Sequence, residues 1–169
     1  MIAVADTSPI NYLVLTGCVQ LLPELFEEII VPPAVFTELR SSHAPQTVQD
    51  FVCAAPKWLR VQAVEKEVLE RVSDRFLHRG EREAIALAEF LAADYLIMDE
   101  KAGRGVAIRR QLTVIGTLGI LDKADEQGLI DDFPRLLERL EEKSFRVSTQ
   151  LREALLGRHR ERVRRIHDP

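Results

Sequence analysis

Residues 95–104, YLIMDEKAGR, decide how the chain is read. Four mostly apolar residues of strand character, Tyr95 to Met98, stop at two adjacent carboxylates, Asp99 and Glu100, and helical spacing follows. A buried strand ordinarily leaves its sheet through Gly, Asn or Pro, so negative charge at its mouth asks for a reason. The N-terminus does the same thing: MIAVAD runs a short apolar strand over residues 2–6 straight into Asp6.

Working outward, the elements alternate. Helical apolar spacing covers residues 8–27, and EIIVP (28–32) is a second strand. Pro32 and Pro33 then open a helix through AVFTELRSS, since a first turn loses nothing by a missing N–H, and residues 45–54 continue as helix. KWLRVQAV (57–64) is a short extended piece with Trp58 packed in the core. EKEVLERVSDRFL (65–77) has amphipathic helical spacing, HRG breaks it, and GEREAIALAEFLAA (80–93) is the next helix. The strand DYLIMD, helix EKAGRGVAIRRQ, strand LTVIGT and helix LGILDKADEQG complete a strand–helix alternation. Such alternation predicts an α/β fold with a parallel sheet covered on both faces. After residue 130 the strands stop. DDFPRLLERLEEKSF and STQLREALLGRHRERVRRIH are helical, which predicts an α/β body over 1–130 and a C-terminal helical extension over 131–169, packed on the same domain like a helical hairpin.

The bounds agree with one domain. A chain of 169 residues, 46% hydrophobic, can bury one substantial core. A net charge of −4 excludes a protein that coats nucleic acid by bulk electrostatics, though not a local basic patch. Cys18 and Cys53 lack CxxC spacing and sit among apolar neighbours, which predicts small core residues in a reducing compartment and no zinc site. No cationic-then-apolar leader and no run of about 18–20 apolar residues is present, so the expected location is cytoplasmic.

Parallel strands joined by crossovers present their C-terminal ends on one sheet edge, where ligands of open α/β folds bind. Asp6 and Asp99 therefore share a rim. Helix capping explains either acid alone, but neighbouring carboxylates repel unless a cation or proton compensates. Glu81 extends the apolar stripe of Ala84, Ile85 and Ala88, so it either caps its helix or faces the rim, while Arg82 and Glu89 mark the solvated face. Glu83 runs along Leu87 and Phe90. Glu38 sits at the edge of a buried stripe, three residues after Val35, where a helix glutamate usually faces solvent.

VADTSPINYL, VPPAVFTELR, GEREAIALAE and DYLIMDEKAGRGVA, in this order and spacing, resemble PIN-domain ribonucleases. The chain is similar to the DUF3368 branch, including toxins of VapC-like toxin–antitoxin pairs, and LGILDKADEQGLIDDFPRLLERLEEKSFRVS extends the likeness into the tail. The resemblance implies a sheet of about five parallel strands around an acidic pocket holding Mg²⁺ or Mn²⁺. It implies four acids at Asp6, Glu38, Glu81 and Asp99, with Glu100 as an alternative or additional ligand and Glu83 as a competitor for the third place. It also implies RNA as substrate, a cognate antitoxin and a homodimer. Many relatives carry Thr or Ser where Met98 stands, so the hydrogen bond that residue makes is either missing here or supplied by Ser8.

The chemistry agrees with the likeness. Clustered carboxylates without His or Cys suit hard divalent cations, which activate water and neutralise charge on a phosphodiester. Phosphate contacts are expected from Arg104, one turn past Asp99, and from Lys101; a plain surface arginine is the other reading of Arg104. The run RHRERVRRIH (158–167) offers an RNA-backbone contact, a site for an acidic partner, or a solvated helix face. His43, His78, His159 and His167 form no HxxxH pair or triad. A haloacid-dehalogenase-type phosphohydrolase is excluded because Ser8 stands where its second Asp is needed. The remaining rival is a catalytically weakened module that binds protein or RNA.

Overall fold

A computed structural model describes residues 1–167, with side chains through Arg165. The first strand, β1 (Ile2–Ala5), leads through α1 (Thr7–Leu15) and α2 (Leu21–Leu25) to β2 (Glu28–Val31). Then come α3 (Pro33–Leu39), α4 (Gln46–Cys53), β3 (Leu59–Val61), α5 (Lys66–Glu70) and α6 (Arg79–Phe90). The body closes with β4 (Tyr95–Ile97), α7 (Lys101–Arg109), β5 (Val114–Ile115) and α8 (Thr117–Glu126), and α9 (Phe133–Glu142) and α10 (Thr149–His167) follow. All five strands are parallel, in the order β3-β2-β1-β4-β5. β1 and β4 are therefore neighbours, with Ala5 opposite Ile97, and the Asp6 N–H continues the ladder to the Ile97 carbonyl at 2.9 Å.

The alternation of strand side chains divides the interior in two. Ala3, Ala5, Ile29, Val31 and Ile97 face a larger core with α1, α2, α8 and α9. Val4, Ile30, Leu96 and Met98 face a smaller one closed by α6 and α7. In α6 the run from Ala84 to Ala88 is fully buried, because small side chains let this helix lie against both the sheet and α3.

The C-terminal helices share the larger core. Asp132 caps α9 by accepting the Arg135 N–H at 3.0 Å, and Phe133, Leu136, Leu137 and Leu140, at helical spacing, are buried. Leu155 seats α10 in the same core. Beside it Arg158 and Arg162 bond Asp122 of α8, while Arg162 and His159 bond Asp125 at 2.8 Å each.

Several sequence expectations are corrected. The helix expected over 65–77 ends at Glu70, because Ser73 and Asp74 divert the backbone: Asp74 Oδ1 accepts the Phe76 N–H at 2.9 Å, a local bond that competes with helix. Val72 and Leu77 are still buried, but from a loop. Cys53, expected in the core, is exposed at the end of α4, whose inward positions are Val48 and Val52; Cys18 is half-buried. Arg82, expected on the solvated face, is half-buried, with its Nε covered and without a partner among the described residues, whereas Phe90 is exposed. The arginine run of 158–167 divides: Arg158 and Arg162 are tied to α8, and Arg160, Arg164 and Arg165 are exposed. The side chains of Ile166 and His167, and residues 168–169 of the expected extension, lie outside the described residues.

Candidate active site

Asp6 follows β1 immediately and is buried at the sheet edge, 5% exposed. Its extended backbone starts α1, and its side chain makes no N-cap bond further into the helix, with only the Thr7 N–H facing it. Burial pushes its carboxyl up to about 7, opposed by the Thr7 N–H and reinforced by the charges of Glu81, Glu38 and Asp99. Three carboxylates from three other segments thus bear on Asp6 at one end of the sheet.

Each of the other acids is held by a local device. Glu81, 5% exposed, is the third residue of α6 and accepts the His78 N–H at 2.7 Å in a capping box. Capping and facing the rim prove compatible: one oxygen caps, while Oε1 points toward Gly103, where a Cβ would stand 3.3 Å from it and 2.4 Å from Met98 Sδ. Glu38, on the last turn of α3, is exposed to the cleft and accepts the Thr7 hydroxyl. It lies against Gly80, where a Cβ would come within 2.9 Å of Oε1. Asp99 accepts the Thr117 N–H at 2.7 Å on Oδ1 and the Thr117 hydroxyl at 2.6 Å on Oδ2. Burial raises its carboxyl, against the hydrogen bonds of Thr117, the charge of Arg104 and a hydrogen bond from Ser8.

Glu83 separates from this group. It is as buried as Glu81, but its oxygens accept the Ala34 N–H at 2.9 Å, at the start of α3, and Arg79 Nε at 2.8 Å. It is occupied in joining α6 to α3.

A cleft of about 680 Å³ is lined by Asp6, Ser8, Glu38, Glu81 and Glu100, together with Asn11, Tyr12 and His78. Asp99 does not line this cleft: it lines a neighbouring groove with Arg104 and is joined to the cleft through the hydrogen bond from Ser8. Arg104 is turned by a hydrogen bond to the Met98 carbonyl at 2.8 Å, and Lys101 is exposed at the start of α7. Spacing alone missed Thr117, Thr7 and Asn11. Thr117 carried a usable signal: it too stands just past a strand on the same rim, after Val114–Ile115. It supplies a hydroxyl beside Asp99 where Met98 supplies none, and Ser8 adds its own.

The donor set is made wholly of carboxylate and hydroxyl oxygens, and the repulsion from Glu81, Glu38 and Asp99 that adds to burial in raising Asp6 is of the kind a divalent cation relieves. As the side chains stand, no three His, Cys, Asp or Glu residues among those described close around a single point. The residues therefore fit a hard cation by chemistry and charge, with Glu38 and Glu81 on side chains long enough to adjust.

A protein-family model described as PIN domain, DUF3368, matches residues 2–161. No curated protein matches the chain. Among the described residues, no helix is long and apolar enough to cross a membrane.

Proposed function

The chain belongs to the PIN-domain family DUF3368, a family of nuclease type, and on that premise we propose that it is a Mg²⁺- or Mn²⁺-dependent endoribonuclease. The observation that carries the reading is the meeting of Asp6, Glu38 and Glu81 in one cleft open to solvent, with Asp99 near enough to Asp6 to help raise its carboxyl. Asp6 and Asp99 are the central metal-holding residues, Glu38 and Glu81 complete the set, and Glu100 adds a carboxylate at the rim. Glu81 takes the third place because both oxygens of Glu83 are engaged elsewhere. When bound, the cation lowers the pKa of water and neutralises charge on the phosphodiester. Thr117 and Ser8 fix Asp99, Thr7 fixes Glu38, and Arg104 and Lys101 meet phosphate oxygens of the substrate.

The test is cleavage of a fluorescent single-stranded RNA by pure protein with Mn²⁺ or with EDTA. Cleavage that EDTA abolishes and that Asp6→Asn and Asp99→Asn lose is expected; equal activity in the variants identifies a contaminant and ends the proposal.

Two observations favour a second reading, a module that binds RNA or protein without cutting: no three acids stand ready around a point among the described residues, and Thr117 already satisfies both oxygens of Asp99. RNA retained but uncut under Mn²⁺ selects it. The wider role, a cytoplasmic toxin that forms a homodimer and is neutralised by a cognate antitoxin, rests on the family likeness. Toxicity on expression that a neighbouring gene relieves is its test.

A further inference from the structure

Asp99 lines one cavity and takes a hydrogen bond from Ser8, which lines another of opposite character. On one side lies the acidic cleft. On the other is a groove of about 440 Å³ between the end of β5, the start of α8 and the α9–α10 connection. That volume falls in the range of about 300–1,000 Å³ typical of small-ligand sites. Its floor and walls are apolar, with Ile115, Leu118, Phe145 and Leu151, and its charged members are Arg104, Arg146 and Arg158 against Asp99 and Asp122. Asp122 is neutralised by bonds to Arg158 and Arg162, so the surplus charge is positive. Arg146 is exposed and without a partner among the described residues.

The wall between the cavities is aromatic. Tyr12 lines the acidic cleft, Phe145 lines the groove, and their rings meet edge to face with centroids 4.8 Å apart. The missing side chain of Gly116 keeps the passage at Asp99 open: a Cβ there would stand 2.8 Å from Asp99 Oδ1 and 3.1 Å from an Arg104 terminal nitrogen.

We propose that this groove is a nucleotide subsite, in which the C-terminal helical extension holds the single-stranded RNA nucleotide next to the scissile phosphate, its base on the apolar wall of Phe145, Leu118 and Leu151 and its phosphate between Arg104 and Arg146. The inference rests on the nuclease reading and deepens it. A flat apolar wall suits any base, and guanidinium groups take phosphate oxygens in pairs, so the subsite selects unpaired strands over duplex without reading sequence closely.

The experiment is fluorescence anisotropy of a labelled single-stranded oligoribonucleotide in EDTA, where binding is read without turnover, alongside cleavage in Mn²⁺. Arg146→Glu is the main variant, because an exposed arginine without a partner among the described residues leaves the fold intact, and Leu151→Glu on the apolar wall is the second. Arg146→Glu is expected to weaken binding about tenfold, the worth of one charged contact, and Leu151→Glu about as much, because it sets a carboxylate in the apolar wall beside the RNA. Arg146→Glu is also expected to flatten the dependence of log K on log salt by about 0.7. In cleavage the change appears in KM and not in kcat. Unchanged affinity and salt slope in both variants, with wild-type cleavage intact, overturn the subsite and leave the nuclease reading standing. RNA binding that depends on Arg146 without any Mn²⁺-dependent cleavage supports the subsite and overturns the nuclease reading.

Discussion

Replacing Asp6 by Asn should make the metal-free protein more stable at neutral pH, although it disarms the proposed site. The folded-state carboxyl of Asp6 is pushed from 3.8 to about 7 by burial and by the three neighbouring acids. Between those two values the folded chain keeps a proton that the unfolded chain has released. Stability is thus complete below the lower value and falls as pH rises to the upper one, by about 1.36 kcal/mol per pH unit. From pH 5 to pH 8 the wild type should lose about 2.7 kcal/mol more than Asp6→Asn, the two units between pH 5 and about 7 supplying the whole difference. Asn has the shape of Asp, can still accept the Thr7 N–H and carries no charge to titrate. Urea unfolding in EDTA at pH 5, 6, 7 and 8 measures the gap. Parallel curves for the two proteins would refute the argument that Asp6 is buried among like charges.

The remaining predictions separate positioning from chemistry. Thr117→Val removes the hydroxyl from Asp99 Oδ2 and should cost about 1–2 kcal/mol in stability and most of the cleavage, with Thr117→Ser restoring both; matched melts and rates for Val and Ser would show that the hydroxyl is idle. Glu83→Ala should destabilise by about 1–3 kcal/mol, because it leaves the Ala34 N–H buried and unpaired, yet keep kcat in the folded fraction, while Glu81→Gln lowers kcat with a smaller loss of stability; the reverse pattern makes Glu83 the third acid. Gly103→Ala forces a methyl to within 2.4 Å of Met98 Sδ in a closed core and should lower the thermal midpoint by an amount equivalent to about 1–3 kcal/mol; an unchanged melt would mean that α7 stands further from the sheet.

The strands and the rim were legible in the sequence because β1 and β4 each carry an uninterrupted apolar run that ends in an acid, and parallel connectivity puts those ends on one edge; that the two strands are neighbours came only with the strand order. The third acid was not legible from spacing. Glu81 and Glu83 are equally buried, and what separates them is a partner forty-nine residues away, the Ala34 N–H taken by Glu83. Thr117 escaped for a similar reason, since its role depends on an Asp99 eighteen residues earlier on the adjacent strand. The helix expected through residue 77 was misjudged because apolar periodicity continues through Val72 while Asp74 takes the backbone out of register with it. The arginines of α10 read as a surface cluster until α8 brings Asp122 and Asp125 against two of them.

Calorimetric titration of Mn²⁺ into the metal-free wild type and into Asp6→Asn tests the central claim most directly. The account predicts saturable uptake by the wild type that the neutral variant loses. Heat no greater than dilution in the wild type, or equal uptake by both proteins, would contradict it.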